Sequence, residues 1–269
     1  MLAKERQNSI QKLLQRDGAV TTAGLVKQFD VSVETIRRDF LVMEQNGQLT
    51  RVHGGAVAGG EMTPFLDLEH RNKERYDQKK ELSAVAARFV SQGDYIAVDT
   101  GSTAIAFAEA LKERFTQLTV VTYSVDVFEL LRDYRDFSVI LCGGHYLKNE
   151  KSFYGSLTLE MLERVHVQKS FICPSAISME FGICDYQQDL YPLEKKLMEN
   201  SDSVFILADS SKFGKKALLK LEDMRREYSY ITDGGLSAEL KNLYAENGLR
   251  IYNNPDDLTG NGWGGTWNE

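Results

Sequence analysis

The sequence predicts an α/β chain of two domains, a small and mostly helical one at the N-terminus and a larger one built on an open, largely parallel sheet. Three observations carry this expectation. A capped amphipathic helix begins at Ser32 in VSVETIRRDF, an alternating run, QLTRVHGGAVA, breaks at Gly54-Gly55, and beyond Gly93 apolar β-rich runs alternate with helical segments.

The elements follow in chain order. Ala3 to Arg16 sets Ile10, Leu13 and Leu14 at helical spacing, and Gly18 ends that helix. Thr21 or Thr22 caps a short second helix, AGLVKQF, after which Asp30 and Val31 form a tight turn. Ser32 then offers its side-chain oxygen to the free amides of a third helix, with Glu34 and Thr35 inside the first turn. At about 100° per residue, Val33, Ile36, Phe40 and Met43 share one face while Glu34, Arg38 and Gln45 point the other way. Two short helices joined by a turn, the second exposing basic groups, form a helix-turn-helix that lays its second helix in a DNA major groove. QLTRVHGGAVA reads as a hairpin turning at Gly54-Gly55, because glycine accepts positive φ without steric cost, and this hairpin would be a wing. An Arg37-Arg38 pair alone is ordinarily a solvated surface. On the exposed face of a capped helix with a wing beside it, the pair points to DNA.

The chain has 269 residues, 42% hydrophobic and 26% charged, which is enough for two domains if one is small. Its net charge of −7 argues at first against nucleic acid. The distribution answers that objection: residues 1–60 hold eight Lys/Arg against six Asp/Glu, the remainder 24 against 33, so the basic excess sits on the reading head. So small an excess implies modest, salt-dependent binding per head, and hence a homo-oligomer, a dimer or tetramer, that uses several heads together. Charges run through the N-terminus and no stretch of about 18 apolar residues occurs, so a cytoplasmic protein without a membrane partner is expected. Cys142, Cys173 and Cys184 are too few and too irregular for a zinc framework and fit buried thiols. His53, His70, His145 and His166 lack paired-ligand spacing, so no metal or cofactor is expected.

These patterns divide the chain into a head at 1–57, a linker at 58–76, a larger domain at 77–253 and a tail at 254–269. The charge run from Glu69 to Lys80 reads as a solvated connector that could carry signals between domains, and Leu82, Val85, Ala86 and Phe89 form a helix face. DYIAVD, LTVVTYS, FSVILCGG, KSFICPSA, SVFILADSS and YSYITD read as strands, with AIAFAEALKERF, VDVFELLRDY and LEKKLMENS as helices among them. Such alternation favours a parallel sheet covered on both faces, where ligands sit beyond the carboxyl ends of the strands. Asp99-Thr100-Gly101-Ser102-Thr103 leads from a strand into a helix whose N-terminus favours an anion. Thr122-Tyr123-Ser124, Gly143-Gly144 and Asp209-Ser210-Ser211-Lys212 end other strands. Lys212 could neutralise a phosphate, and Asp99 or Asp209 could accept from sugar hydroxyls. Each motif alone is equally an ordinary strand-end turn; four at one edge point to a phosphorylated sugar or polyol.

VSVETIRRDF, NGQLTRVHGGAV and the capped helix pair resemble the winged helix-turn-helix of the DeoR family of bacterial transcription regulators over about the first 57 residues, with Leu41 and Val42 standing where polar residues are expected. DTGST, VTYS, CGG, FYGS, EKKLMENSDSVFILADSSKFG and ITD resemble that family's sensor domain over residues 77–253, a Rossmann-like module similar to ribose-5-phosphate isomerase. The resemblance implies effector binding by Asp99, Gly101, Ser102, Thr103, Ser124, Gly143, Gly144 and Lys212. Lys195, in the EKK segment, is a further candidate, although a helix-surface lysine is the ordinary explanation. Tyr123 stands where the family commonly has Asn and would stack on or narrow the pocket, and CPSAIS replaces a more glycine-rich segment. The tail NNPDDLTGNGWGGTWNE has no counterpart and carries both tryptophans.

The function expected is sequence-specific DNA binding by a transcriptional regulator, a repressor of a carbohydrate catabolic operon controlled by a phosphorylated sugar. Ser32, Glu34, Thr35, Arg37, Arg38, Arg51 and His53 form the DNA surface, with Arg38 favoured for base edges, Arg37 for a phosphate or a carboxylate, and Arg51 and His53 for the backbone or minor groove. The alternative is an isomerase-like enzyme for sugar phosphates with an accessory DNA-binding domain. Glu180 and Glu194 are its available carboxylates, but neither sits in a glycine-rich catalytic segment, and a solvent-facing glutamate is the default reading; no enzyme is expected.

Overall fold

The computed structural model describes residues 3–17, 19–45, 48–52, 55–58 and 66–254. Its packing divides the chain into two compact units, one built on Met1–Leu66 and the other on Asp67–Gly214 and Leu218–Glu269. No helix among the described residues is long and apolar enough to cross a membrane.

The first unit runs α1 (Ala3–Asp17), β1 (Ala19–Thr21), α2 (Thr22–Phe29), α3 (Val33–Gln45), β2 (Leu49–Val52) and β3 (Gly55–Ala58). The Thr21 hydroxyl accepts from the Gly24 amide and caps α2, and Asp30 closes that helix in the left-handed region at φ 52. Ser32 caps α3, its Oγ accepting from the Thr35 amide at 3.1 Å. Ile10, Leu14, Leu25, Ile36, Phe40 and Met43 fill the core. Val33 departs from the face expected of it and is 45% exposed. The buried arc of α3 also takes in Asp39, which accepts from Arg6 and from Gln7 Nε2 of α1, so its centre shifts and leaves Val33 about 70° away, on the rim.

Antiparallel β2 and β3 make the expected hairpin, but Gly55 belongs to a strand, paired with Val52 on one side and Thr21 of β1 on the other. Gly54 of the expected turn lies outside the described residues, as do Gly18 and His53. The third strand, β1, had no signal in the sequence beyond three residues. A Cβ on Gly55 would sit 2.1 Å from the Val20 carbonyl oxygen, so only glycine lets the three strands close.

The second unit begins with α4 (Leu68–Lys73) and α5 (Tyr76–Ala86), the latter continued by one tight 3-10 turn, Ala87–Phe89. The run expected as a solvated connector is thus structured, with Leu68 and Lys79 buried, because the apolar stripe of α5 extends back through Lys79. There follow β4 (Tyr95–Val98), α6 (Ser102–Arg114), β5 (Gln117–Thr122), α7 (Val125–Leu131), β6 (Asp136–Leu141), β7 (His145–Leu147), β8 (Ser152–Tyr154) and α8 (Ser156–Glu163). The chain continues through β9 (Val167–Ile172), β10 (Ala176–Ser178), β11 (Gly182–Asp185), α9 (Tyr191–Glu199), β12 (Ser201–Leu207), a 3-10 turn at Ser210–Lys212, β13 (Leu219–Glu222), β14 (Ser229–Ile231), α10 (Ala238–Glu246) and β15 (Arg250–Tyr252).

Seven strands form one parallel sheet in the order β15-β14-β12-β9-β4-β5-β6. Alternate residues feed two cores. Ile96, Val98, Phe171 and Phe205 pack with Leu82 and Phe107, while Ala97, Val121, Ile172 and Ile206 pack with Leu162, Leu193 and Tyr244. Phe171 lies 4.4 Å from Phe107 and 4.9 Å from Phe205 between ring centroids, an aromatic column through one core. From β4 the chain proceeds to β5 and β6 on one side, then returns to lay β9 on the other. The carboxyl ends of β4 and β9 therefore flank the switch point of the sheet, where such folds leave a crevice.

Gly55→Ala is expected to destabilise the first unit by about 3 kcal/mol or more, since backbone and not a flexible side chain blocks the new methyl group. Gly143→Ala, whose methyl group meets open space, should change stability by less than about 0.5 kcal/mol. Urea unfolding of both variants followed by circular dichroism measures the contrast.

Candidate functional site

On the head, α3 exposes Val33, Glu34, Arg37, Arg38, Leu41 and Val42 as one arc. Arg37 and Arg38 flank that arc on either side of Glu34, so the helix phase does not favour Arg38 over Arg37 as expected. Arg37 lies 3.7 Å from Glu34 in a largely solvent-exposed pair, too loose to hold the guanidinium in place. Among the described residues Arg38 has no hydrogen-bond or ion-pair partner. The Thr35 hydroxyl is 2.9 Å from Ser32 Oγ, so both residues serve the cap, which also sets where α3 starts. Arg51 on β2 is steered by Glu44, which accepts from the Arg51 amide at 2.9 Å and from Nε at 2.6 Å.

In the second unit, the switch-point crevice is a cleft bounded by Thr100, Gly101, Ser102 and Thr103 after β4, by Cys173, Pro174 and Ser175 after β9, and by Asp209 and Lys212 after β12. Gly101 adopts φ +95 at the N-terminus of α6, and Arg71 Nη1 lies 3.4 Å from where its Cβ would be. The remaining wall comes from α4, α5 and the junction between them: Arg71, Glu74, Arg75 and Lys79. Arg71 donates to Glu150 at 2.5 Å, Arg75 Nε lies 2.8 Å from Asp209 Oδ1, and Lys79 Nζ donates to the backbone carbonyls of Arg71 and Glu74 at 2.5 and 2.6 Å. Burial pushes the Lys79 ammonium down to about 8, with Asp209 opposing and Lys212 reinforcing the shift.

Several expected residues act beneath the cleft or away from it. Asp99 is buried, accepting from the Tyr123 hydroxyl and from the Cys173 amide at 2.8 Å, so it joins β4, β5 and β9 and has no oxygen turned to a ligand. Tyr123 is fully buried in that bond and does not line the cleft, contrary to the stacking role expected of it. Ser124 caps α7, and the Gly143 carbonyl accepts from Thr158 Oγ1 at 3.1 Å while Gly144 packs closely on the same side chain; these three sit at the ends of β5 and β6. Lys195 of α9 donates to Glu222 at 2.5 Å in a groove with the first residues of β12, at the opposite edge of the sheet. Glu194, expected as solvent-facing, is buried; burial and the neighbouring Asp185, Asp99 and Glu150 hold it well above the usual carboxylate range. Burial likewise pushes Asp99 up to about 6, against the bonds from Tyr123 and Cys173.

Sequence reasoning thus found Gly101, Ser102, Thr103, Asp209 and Lys212 at the cleft, and missed Arg71, Arg75 and Lys79. The available signal was their spacing of four, in phase with the Leu82 and Ala86 stripe.

A winged helix-turn-helix joined to an α/β domain with a cationic cleft defines a DNA-binding transcription regulator. The model of the DeoR-like helix-turn-helix domain matches residues 6–60 and that of the DeoR C terminal sensor domain matches residues 74–234. The chain belongs to the DeoR family, and the relatives it matches are named as transcriptional regulators or repressors. It is 33% identical to the HTH-type transcriptional regulator YulB of Bacillus subtilis (strain 168), over 88% of this chain and 91% of that protein. It is 28% identical to the glycerol-3-phosphate regulon repressor of Escherichia coli (strain K12), over 87% and 92%. Among solved structures, ribose 5 phosphate isomerase A from Neisseria gonorrhoeae matches with 22% identity and a TM-score of 0.37 over 50% of this chain and 52% of that one.

Because Lys79 titrates lower in the folded chain than its ordinary 10.5, the unfolded chain binds more protons between about pH 8 and 10.5, and stability attributable to it rises with pH across that window. Its slope reaches at most about 1.4 kcal/mol per pH unit. Lys79→Met should remove this increment, a difference read from urea unfolding of both proteins at several pH values.

Proposed function

We propose that the protein represses a carbohydrate catabolic operon, that its heads bind the operator as a homo-oligomer, and that a phosphorylated sugar or polyol in the second unit controls that binding. The observation carrying the DNA reading is the exposed arc of α3, with two arginines on either side of Glu34 over a packed helical core. Arg37 and Arg38 take base edges and phosphates between them, Ser32 and Thr35 set the start of the helix, and Arg51, steered by Glu44, reaches the backbone; His53 extends the same wing by sequence. The weak positive excess of the head makes multivalent binding the economical route to affinity.

The effector reading is supported by the cleft chemistry: the Gly101–Thr103 turn opens α6, and Lys212 adds a cation beside it. A relative named for a glycerol-3-phosphate regulon supports a phosphorylated polyol as the ligand class.

Fluorescence anisotropy with the upstream region of the protein's own operon tests the first half. Arg38→Ala and Arg37→Ala should each weaken operator binding by about 1–3 kcal/mol, with lost base preference for whichever reads a guanine and a shallower salt dependence for whichever holds a phosphate. Equal binding to operator and random duplex at low salt would end the regulator reading for this head. For the second half, thermal shift with a panel of phosphorylated sugars should find one that stabilises the full chain, and Ser102→Ala and Lys212→Ala should abolish its effect on operator binding. An intact response in both variants would put the effector elsewhere.

A further inference from the structure

Four cations border the switch-point cleft, and Arg71, Arg75 and Lys79 come from α4 and α5, the first elements of the second unit that the chain reaches after β3. We propose that this segment is the phosphate-binding wall of the cleft, so that the ligand acts directly on the stretch of chain leading out of the reading head; the proposal rests on the reading that the cleft takes an anionic effector.

The three side chains are held at the cleft by contacts of different kinds. Arg75 leans on Asp209 through Nε at 2.8 Å and donates to Ser210 Oγ at 3.0 Å. Arg71 is held by Glu150, whose other oxygen accepts from Gln187 at 3.1 Å. Lys79 has no carboxylate partner among the described residues. It is 4% exposed, and its ammonium meets only backbone carbonyls while Arg71 and Lys212 stand close enough to disfavour its charge. A buried ammonium compensated by neutral dipoles gains most from a nearby dianion. Glu74 and Asp209 are the carboxylate residues that face this part of the cleft, and both favour the Lys79 charge.

Asp209 is the internal competitor. Its Oδ1 accepts from the Ser211 amide at 3.0 Å and from Ser211 Oγ at 2.5 Å while it pairs with Arg75, which leaves that oxygen no capacity for a sugar hydroxyl. The proposal gives Arg75 two alternative partners, Asp209, with which it pairs in this structure, and the phosphate of a bound ligand. Arg75 stands at the start of α5 in the left-handed region at φ 53, so exchange of its partner bears on the junction between α4 and α5. Only residues 59–67 separate α4 from β3 in sequence. Differential affinity of the ligand for the two pairings is the form that control must take.

The test uses the full chain with inorganic phosphate as probe, followed by isothermal titration at constant ionic strength in chloride. Wild type should bind saturably with a Kd of about 1 mM, and Arg75→Gln and Lys79→Met should weaken this about tenfold each. Asp209→Asn keeps the acceptor for Ser211 but removes the competing charge, and should tighten phosphate binding several-fold, an effect that a merely structural Asp209 would not give. Hydrogen exchange over residues 67–79 should slow with phosphate in wild type and stay unchanged in Lys79→Met. If Arg75→Gln does not fold, Asp209→Asn decides: tightening supports the wall, unchanged or weaker binding overturns it. Should Lys212→Ala weaken phosphate while Arg75→Gln and Lys79→Met bind as wild type, the anion occupies the cleft without this wall, and the proposal fails while the effector reading stands. Absence of saturable phosphate binding to wild type would overturn both.

Discussion

The second unit depends on how its parallel sheet is held together at the place where its strand order reverses. At that switch point the chain goes from β4 to β5 on one side and from β9 to β12 on the other, so neighbouring strands part company at their carboxyl ends. Asp99 closes the seam: it accepts from the Cys173 amide beyond β9 and from the Tyr123 hydroxyl beyond β5, so one carboxylate ties three neighbouring strands at their open ends. The cost is desolvation: burial holds its carboxyl up at about 6 despite those bonds. An open seam is needed for a ligand to enter, and a buried carboxylate is what keeps the seam from fraying.

That staple has electrical consequences. Asp99, Asp185 and Glu194 lie buried near one another, and each is pushed toward its neutral form. Asp185 is well served by the amides of Ser175, Tyr186 and Gln187, whereas Glu194 Oε2 has no hydrogen-bond partner. A proton on Glu194 is the least costly way to bury three acids together. Keeping this layer partly neutral lowers the negative charge buried beneath the cleft.

Much of this was legible in the sequence, and the failures have physical causes. Six of the seven sheet strands were readable because each centres on a short apolar run that packs into the two cores. β15 was not, since three residues of edge strand carry little hydrophobic signal, and the locally paired β7, β8, β10, β11 and β13 are similarly short. On α3 the phase was misjudged by taking apolar residues alone as the inward face; Asp39 turns inward because Arg6 meets it, and Val33 turns out. At the cleft, the strand-end half was legible from Gly101, Ser102, Thr103 and Lys212. The other half was hidden because Arg71, Arg75 and Lys79 lie in a run rich in both charges, which hydropathy alone assigns to water. Asp99 and Tyr123 were expected to bind the ligand, and the structure instead buries them in the scaffold beneath the cleft.

The two units ask for very different energies, and this bounds any coupling between them. A head with only a slight basic excess is expected to bind each half-site modestly, which under the proposed function would set its occupancy where a small bias changes the outcome. Allosteric coupling of about 1–3 kcal/mol shifts affinity roughly 5–150-fold. In the proposed exchange at Arg75 one charge-assisted contact is lost as another forms, so only the difference between the two pairings contributes to coupling, a fraction of the about 1.5–3 kcal/mol that a single hydrogen bond to a charged group is worth. A stronger, fully buried ion pair in its place would hold the cleft closed against the ligand, and a solvent-exposed pair would carry too little energy to matter. The Arg75 and Asp209 pair has one partner a third exposed and the other buried, 33% against 2% of side-chain surface, which puts it between those limits.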